Sequence, residues 1–231
     1  MNGGITLSAK KVKRRKKIKR IAKILLLILL LLLLISYIVT GIIYSGGNFT
    51  ISLDKNLYLQ KRLIIYDDPT YKVYRSDLYA QSLDFLDNIK YTWLPNNLDE
   101  HEGGSHNGDN YIAYTFYIEN TGDEEADYWG EMVIEDVIKR VDEAIRIRVY
   151  KNGEYKTYAK LAANGQPEEN TVPFESDKMV MTEHVEQFMP GDINKYTVVI
   201  WIEGTDLECT DNILGGEIKI HMSFNSEYRK K

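Results

Sequence analysis

Lys195-Tyr-Thr-Val-Val-Ile-Trp-Ile-Glu203 is the stretch on which the fold turns. Every residue between its charged ends is β-branched or aromatic, the types that favour a pleated strand. Met189-Pro-Gly-Asp192 marks a turn before it, and Gly204–Asn212 reads as a loop after it. Tyr111-Ile-Ala-Tyr-Thr-Phe-Tyr-Ile-Glu119 has the same character. Asn120-Thr-Gly-Asp123 turns the chain there, and Asp127–Val133 reads as the return strand.

Working outward, further strands follow by pattern. Ala144–Tyr150 alternates, with Ile145, Ile147 and Val149 on one face and Arg146, Arg148 and Tyr150 on the other. The arginines read as a solvated face. Asn152-Gly153 is a strong hairpin signal, and Tyr155–Ala159 returns from it. Glu217–Phe224 alternates again, and Met179–Met181, Asn48–Leu53, Leu63–Tyr66 and Tyr91–Leu94 read as shorter strands. Leu78, Leu83, Leu86 and Ile89 have helical spacing, so a short helix is expected over Ser76–Ile89. A second short helix is expected within Ile134–Ala144. Leu98–Asn110 and Asn164–Asn170 read as polar loops outside any core. Many short strands with few helices predict a mainly β fold, an antiparallel two-sheet, Ig-like β-sandwich over residues 45–231.

A different signal precedes that domain. Ten lysines and arginines fall between Lys10 and Lys23, and Ile24–Tyr44 then carries no charge. Twenty-one helical residues reach roughly 31 Å, the thickness of a bilayer's hydrocarbon core. The expected order is a basic cytoplasmic segment over 1–23, a transmembrane signal-anchor helix over 24–44, and an outer domain. All 34 acidic residues lie beyond Lys23, where 19 basic ones accompany them and leave a net −15. Basic before and acidic after a span predicts an N-terminus in the cytoplasm and the domain outside. The same charge argues against nucleic acid as a partner. The lipid bilayer is the expected partner of residues 24–44, with self-association or other surface proteins as partners of the domain. The apolar run exceeds an ordinary signal-peptide core and no Ala-x-Ala follows it, which favours an uncleaved anchor over a cleaved leader.

Pro190-Gly191-Asp192, Thr197–Gly204, Asp206, Glu208-Cys209-Thr210 and Gly215–Lys219 together resemble the C-terminal signature of exported proteins related to TasA and camelysin. Tyr111–Gly122 resembles a matching upstream segment, so the resemblance spans roughly residues 110–224. It implies a jelly-roll-like sandwich, export, often through the SipW signal peptidase, and a role in surface or biofilm-matrix structures. The long basic-flanked anchor departs from that pattern and implies a tethered protein. Camelysin-like proteins have also been labelled metallopeptidases, which calls for a direct look at the metal-binding residues.

A zincin needs His-Glu-x-x-His on a helix, whereas this chain has His101-Glu-Gly-Gly-Ser-His106, one residue too long and glycine-rich. His184-Val-Glu186 brings no second histidine. Asp99, Glu100, Glu102 and Asp109 form one acidic loop, and Asp206, Glu208 and Asp211 a second cluster. Both lack an ordered calcium-loop spacing and read as solvated acids. Cys209 is the only cysteine, which removes any intramolecular disulfide and suggests partial burial. No nucleophile constellation stands out. The expectation is a protein that is not an enzyme, with no catalytic, cofactor-binding or metal residues and no cofactor. It would act as a membrane-anchored structural or adhesive surface protein. A tethered sensor or accessory subunit that binds a ligand or peptide is the alternative.

Overall fold

The computed structural model describes residues 9–44, 48–56, 62–83 and 85–228. The chain divides into two units, Met1–Gly46 and Gly47–Lys231. The first contains one helix, α1 (Ala9–Tyr44). Leucine, lysine and arginine are good helix formers, and no glycine or proline interrupts α1 before Gly41. The basic block is therefore continuous with the apolar run on one helix. Within it, Lys13–Val39 is long and apolar enough to cross a membrane, and its side chains are exposed. Ser45–Gly47 lie outside the described residues.

The second unit is mainly β. Its strands are β1 (Phe49–Leu53), β2 (Leu63–Tyr66), β3 (Asp77–Tyr79), β4 (Gly104–Ser105), β5 (Ile112–Asn120), β6 (Ala126–Ile138), β7 (Ile145–Lys151), β8 (Glu154–Ala159), β9 (Val172–Pro173), β10 (Met179–Phe188), β11 (Ile193–Ile202) and β12 (Glu217–Tyr228). They form a five-stranded sheet, ordered β10-β6-β12-β1-β3, and a seven-stranded sheet. The larger sheet runs β2-β5-β11-β7-β8-β9, with β4 also paired to β5. Most pairings are antiparallel, but β1 runs parallel to β12 and β9 parallel to β8.

The two sheets share one core. Phe116 and Tyr196 of the larger sheet stack at 5.4 Å. The Phe224 ring of the smaller sheet lies 5.8 Å from Phe116 and 5.6 Å from Tyr196. Tyr128 meets Phe188 at 5.1 Å and Phe224 at 6.1 Å. Phe224 sits opposite Gly130 in the β12–β6 register, and a Cβ on Gly130 would come 2.9 Å from the Phe224 ring. That close approach explains a glycine inside a strand.

The phenols do not go unpaired in this core. Asn194 Nδ2 donates to the Tyr128 hydroxyl at 2.5 Å. The Tyr128 and Tyr196 hydroxyls are hydrogen-bonded at 2.8 Å, and Tyr196 donates to Glu183 Oε2 at 2.7 Å. Lys151 closes the chain on Glu183 Oε1 at 2.7 Å. Burial first, and for Tyr196 the nearby Tyr128 and Glu183 next, push both phenols well above their ordinary range.

Turns fall where local chemistry demands them. Asn152 (φ 51°) and Gly153 (φ 91°) are both left-handed, as the tight β7–β8 hairpin requires. At one end of the fold, Gly191 N donates to Asn120 O at 2.8 Å and Asn120 N to Asp192 O at 3.0 Å. The buried Asn120 amide also donates to Phe188 O at 2.8 Å and Glu124 O at 3.0 Å. The Asn120–Gly122 and Pro190–Asp192 motifs, far apart in sequence, thus meet.

Some expected helices and strands fail. Ser76–Ile89 is no helix among its described residues; Asp84 lies outside them. Its backbone bonds go to distant partners, Ala80 N to Phe49 O and Ile89 N to Ile202 O, in place of a helical ladder. Tyr91–Trp93 is a 3₁₀ turn and not a strand. Ile134–Ile138 continues β6 because it pairs with β12, so only Val141–Glu143 is helical, as a 3₁₀ turn.

Replacing Phe224 by Ala should cost about 3–5 kcal/mol in urea unfolding, since the aromatic cluster cannot close around the gap. Tyr196→Phe should cost about 1–3 kcal/mol, because the Tyr128 hydroxyl loses a partner in a dry core.

Candidate functional site

The outer face of the seven-stranded sheet is not simply solvated. Ile89, Leu94 and Leu98 pack on it against Ala113, Tyr150, Val199 and Trp201, forming a second apolar cluster. Leu98, expected in a polar loop, is only 1% exposed. This cap explains why Val198–Trp201 is a continuous apolar run: it is buried on both faces.

Glu203 fastens the cap to the end of β11. It is 4% exposed and accepts bonds from Tyr91 N at 3.0 Å and Trp201 Nε1 at 3.1 Å. Thr205 adds its N–H at 3.2 Å and its hydroxyl at 2.6 Å. Both carboxylate oxygens are therefore committed.

Beside the cap lies a cleft of about 650 Å³. Its floor is β7, β8 and β11, through Arg146, Arg148, Tyr155, Thr157 and Trp201. Its walls are the cap, through Tyr91 and Asn96, and the loop Glu168–Thr171. The sequence placed Arg146 and Arg148 on a solvated face. For Arg146 that is wrong, because it is 4% exposed. Its NH2 lies 2.6 Å from Asp206 Oδ2 and 3.1 Å from Glu168 Oε2. Two carboxylates from distant loops thus offset one buried charge. Burial first, then the neighbouring Asp206, raises the Glu168 carboxyl above its ordinary range.

Arg148 is held differently. Its Nε donates to Thr157 Oγ1 at 3.0 Å, and its NH1 reaches the Tyr150 hydroxyl at 3.4 Å. The guanidinium carbon lies 4.6 Å from the Tyr155 ring centroid and 5.4 Å from that of Trp201. No carboxylate among the described residues pairs with it.

The residues weighed as metal ligands fare unevenly. Asp206 and Glu208 do come together, but with Glu168 and not Asp211. Glu168 and Asp206 already hold Arg146, and Glu208 accepts Ala163 N at 3.0 Å. Among the described residues, Asp99, Glu100, Glu102 and Asp109 form no group of three possible ligands. His101 and His106 stack face to face at 4.1 Å, so their nitrogens do not converge. Burial, and then the adjacent His101, pushes His106 down to about 4. Its Nε2 bonds Thr115 Oγ1 at 2.9 Å, while the buried Nδ1 has no partner among the described residues. His184 stacks on Trp129 at 4.4 Å. Cys209 is free, half-buried and packed on the main core, and burial raises its thiol above the ordinary range.

No family model matches the chain, and no curated protein matches its sequence. Among solved structures it is similar to the GH31 alpha-xylosidase from Xanthomonas citri, with a TM-score of 0.29 and 10% identity over 74% of this chain and 17% of that one. A second is the beta-glucosidase from Kluyveromyces marxianus in complex with glucose, with a TM-score of 0.25 and 10% identity over 73% of this chain and 15% of that one. The chain spans less than a fifth of either protein's length. Likeness at this level carries no argument about fold or activity.

Asp206→Ala should destabilise the domain by about 3 kcal/mol in denaturant titration, because Arg146 stays buried with a weakened counter-charge. Glu168→Ala should cost less, since Glu168 is the more exposed partner. His106 adds a pH dependence. Its folded value of about 4 lies below the unfolded one near 6.5, so the unfolded chain binds the proton first. The stability it confers is full above about pH 6.5 and drains away as pH falls towards about 4. Between about pH 7 and pH 5, the native chain should lose more stability than His106→Gln, which does not titrate.

Proposed function

We propose that this chain is a membrane-anchored cell-surface protein of structural or adhesive type, and that its outer domain makes contact through the cleft on the seven-stranded sheet. The observation that carries this reading is the union of one exposed, uncharged helical run behind a basic block with an acidic β domain. On the positive-inside rule the N-terminus is cytoplasmic and the domain faces out. The chain acts without catalysis. Glu203 and Asp206, the buried carboxylates of the cleft, are consumed as struts for the cap and for Arg146.

The strand order supports a jelly-roll reading over an Ig-like one. β1-β12-β6-β10 against β5-β11-β7-β8 is the interleaving of a jelly roll, with β1 reversed so that it runs parallel to β12. This agrees with the resemblance of residues 110–224 to TasA and camelysin relatives, whose surface and matrix roles point the same way. The cleft also favours a second reading, a tethered sensor or accessory subunit that binds a ligand or peptide outside the cell.

Protease applied to intact cells should remove the domain and leave a membrane-bound stub carrying the basic block. Mass spectrometry of the cell-derived protein should recover peptides from residues 10–23. A mature start near Ile42 or Gly46 would instead make it a released subunit. Cells with the chain should clump or attach more than cells without it, and shaving the domain should abolish the difference. An unchanged phenotype favours the sensor reading.

A further inference from the structure

We propose that the cleft takes a neutral, polyhydroxylated ligand, a short stretch of uncharged polysaccharide. The inference rests on the cleft being the contact site named above and adds what it contacts.

The lining selects against other chemistries. Leu94 is its only aliphatic side chain among the described residues, so an apolar ligand or the side chains of a peptide find no pocket. Four carboxylates, Glu168, Glu169, Glu203 and Asp206, face two guanidiniums. The domain around them is also acidic, and an anionic polymer is repelled. A cation fares no better, since Glu203 is saturated by four donors, Glu168 and Asp206 share Arg146, and the exposed Glu169 alone makes no cation site.

What remains open suits hydroxyl groups. A guanidinium has five N–H donors, and Arg148 spends two on Thr157 and Tyr150. The others form a planar fork that matches adjacent hydroxyls on a sugar ring. Thr157, Tyr150 and the flanking rings hold that fork in place before the ligand arrives, which lowers the ordering cost of binding. Asn96 and Asn170, on opposite walls, each supply a donor and an acceptor. Tyr155 and Tyr91, 57% and 52% exposed, offer faces for the C–H side of a pyranose. A volume of about 650 Å³ accommodates more than one sugar ring.

The test uses the full chain in lipid nanodiscs, which avoids sugar-based detergents. Calorimetry and tryptophan fluorescence follow titrations with short gluco-, manno-, galacto- and chito-oligosaccharides. Alginate and hyaluronate oligomers form the anionic arm, and a random peptide library the peptide arm. At least one neutral series should bind. Tyr155→Ala, Tyr91→Ala and Arg148→Lys should each weaken it by about tenfold or more with little change in melting temperature. Tyr79→Ala, on β3 of the other sheet, should bind like the native chain. The proposal is overturned if no neutral series binds, if anionic oligomers or peptides bind in preference, or if the Tyr155 and Tyr91 variants bind normally. Loss of cell attachment in Tyr155→Ala with no neutral sugar bound sinks the sugar and leaves the contact site standing. Sugar binding with attachment unchanged sinks the adhesive reading instead.

Discussion

The hydrogen-bonded row Asn194–Tyr128–Tyr196–Glu183 is the constraint on which the domain depends. It crosses between the sheets three times, since Asn194 and Tyr196 lie on β11 while Tyr128 and Glu183 lie on β6 and β10. Burying two phenols without partners is costly, so the rings can enter the core only where their hydroxyls meet. That requirement fixes the stagger of β11 against β6 and β10. Aromatic packing around Phe224 supplies the bulk of the core, but it is less directional and would tolerate sliding. The polar row makes one stagger better than its neighbours.

Building outward from that core, the larger sheet is sealed a second time by the cap over its outer face. Two buried acids hold this outer layer. Glu203 ties down Tyr91, and Asp206 reaches back to Arg146. Both leave β11 within a few residues of its end, so the same strand that centres the core also positions the cleft. The cap and the Glu168 loop stand apart over β7 and β8, and the cleft is the space they leave.

Much of the strand set was legible in the chain because its signals are local. β5, β7, β8, β11 and β12 each show β-branched density, alternation or a turn at the end, and all are found. What failed was carried by distant partners. Leu78, Leu83, Leu86 and Ile89 have helical spacing, yet Leu78 enters the main core and Ile89 the outer cluster, on different sides of the larger sheet. Spacing alone cannot tell one stripe from two destinations. The cleft was legible only in part. Arg146 and Arg148 stand out as a pair by alternation, but nothing near them in sequence announces Glu168, Asp206 or the cap. Those lie at least twenty residues away and meet only through topology.

The arginine pair also shows why strand alternation underdetermines function. Arg146 and Arg148 are two residues apart on β7, share a face, and would be interchangeable by pattern. Their fates differ because of what each loop delivers. Asp206 and Glu168 arrive over Arg146 and turn it into an internal brace, whose loss would cost stability. Over Arg148 arrive only rings and hydroxyls, which hold the guanidinium still without neutralising it. Among the described residues no carboxylate pairs with Arg148, and part of its guanidinium keeps N–H donors that neither Thr157 nor Tyr150 takes. The proposed ligand would bring oxygens to those donors from the open side of the cleft.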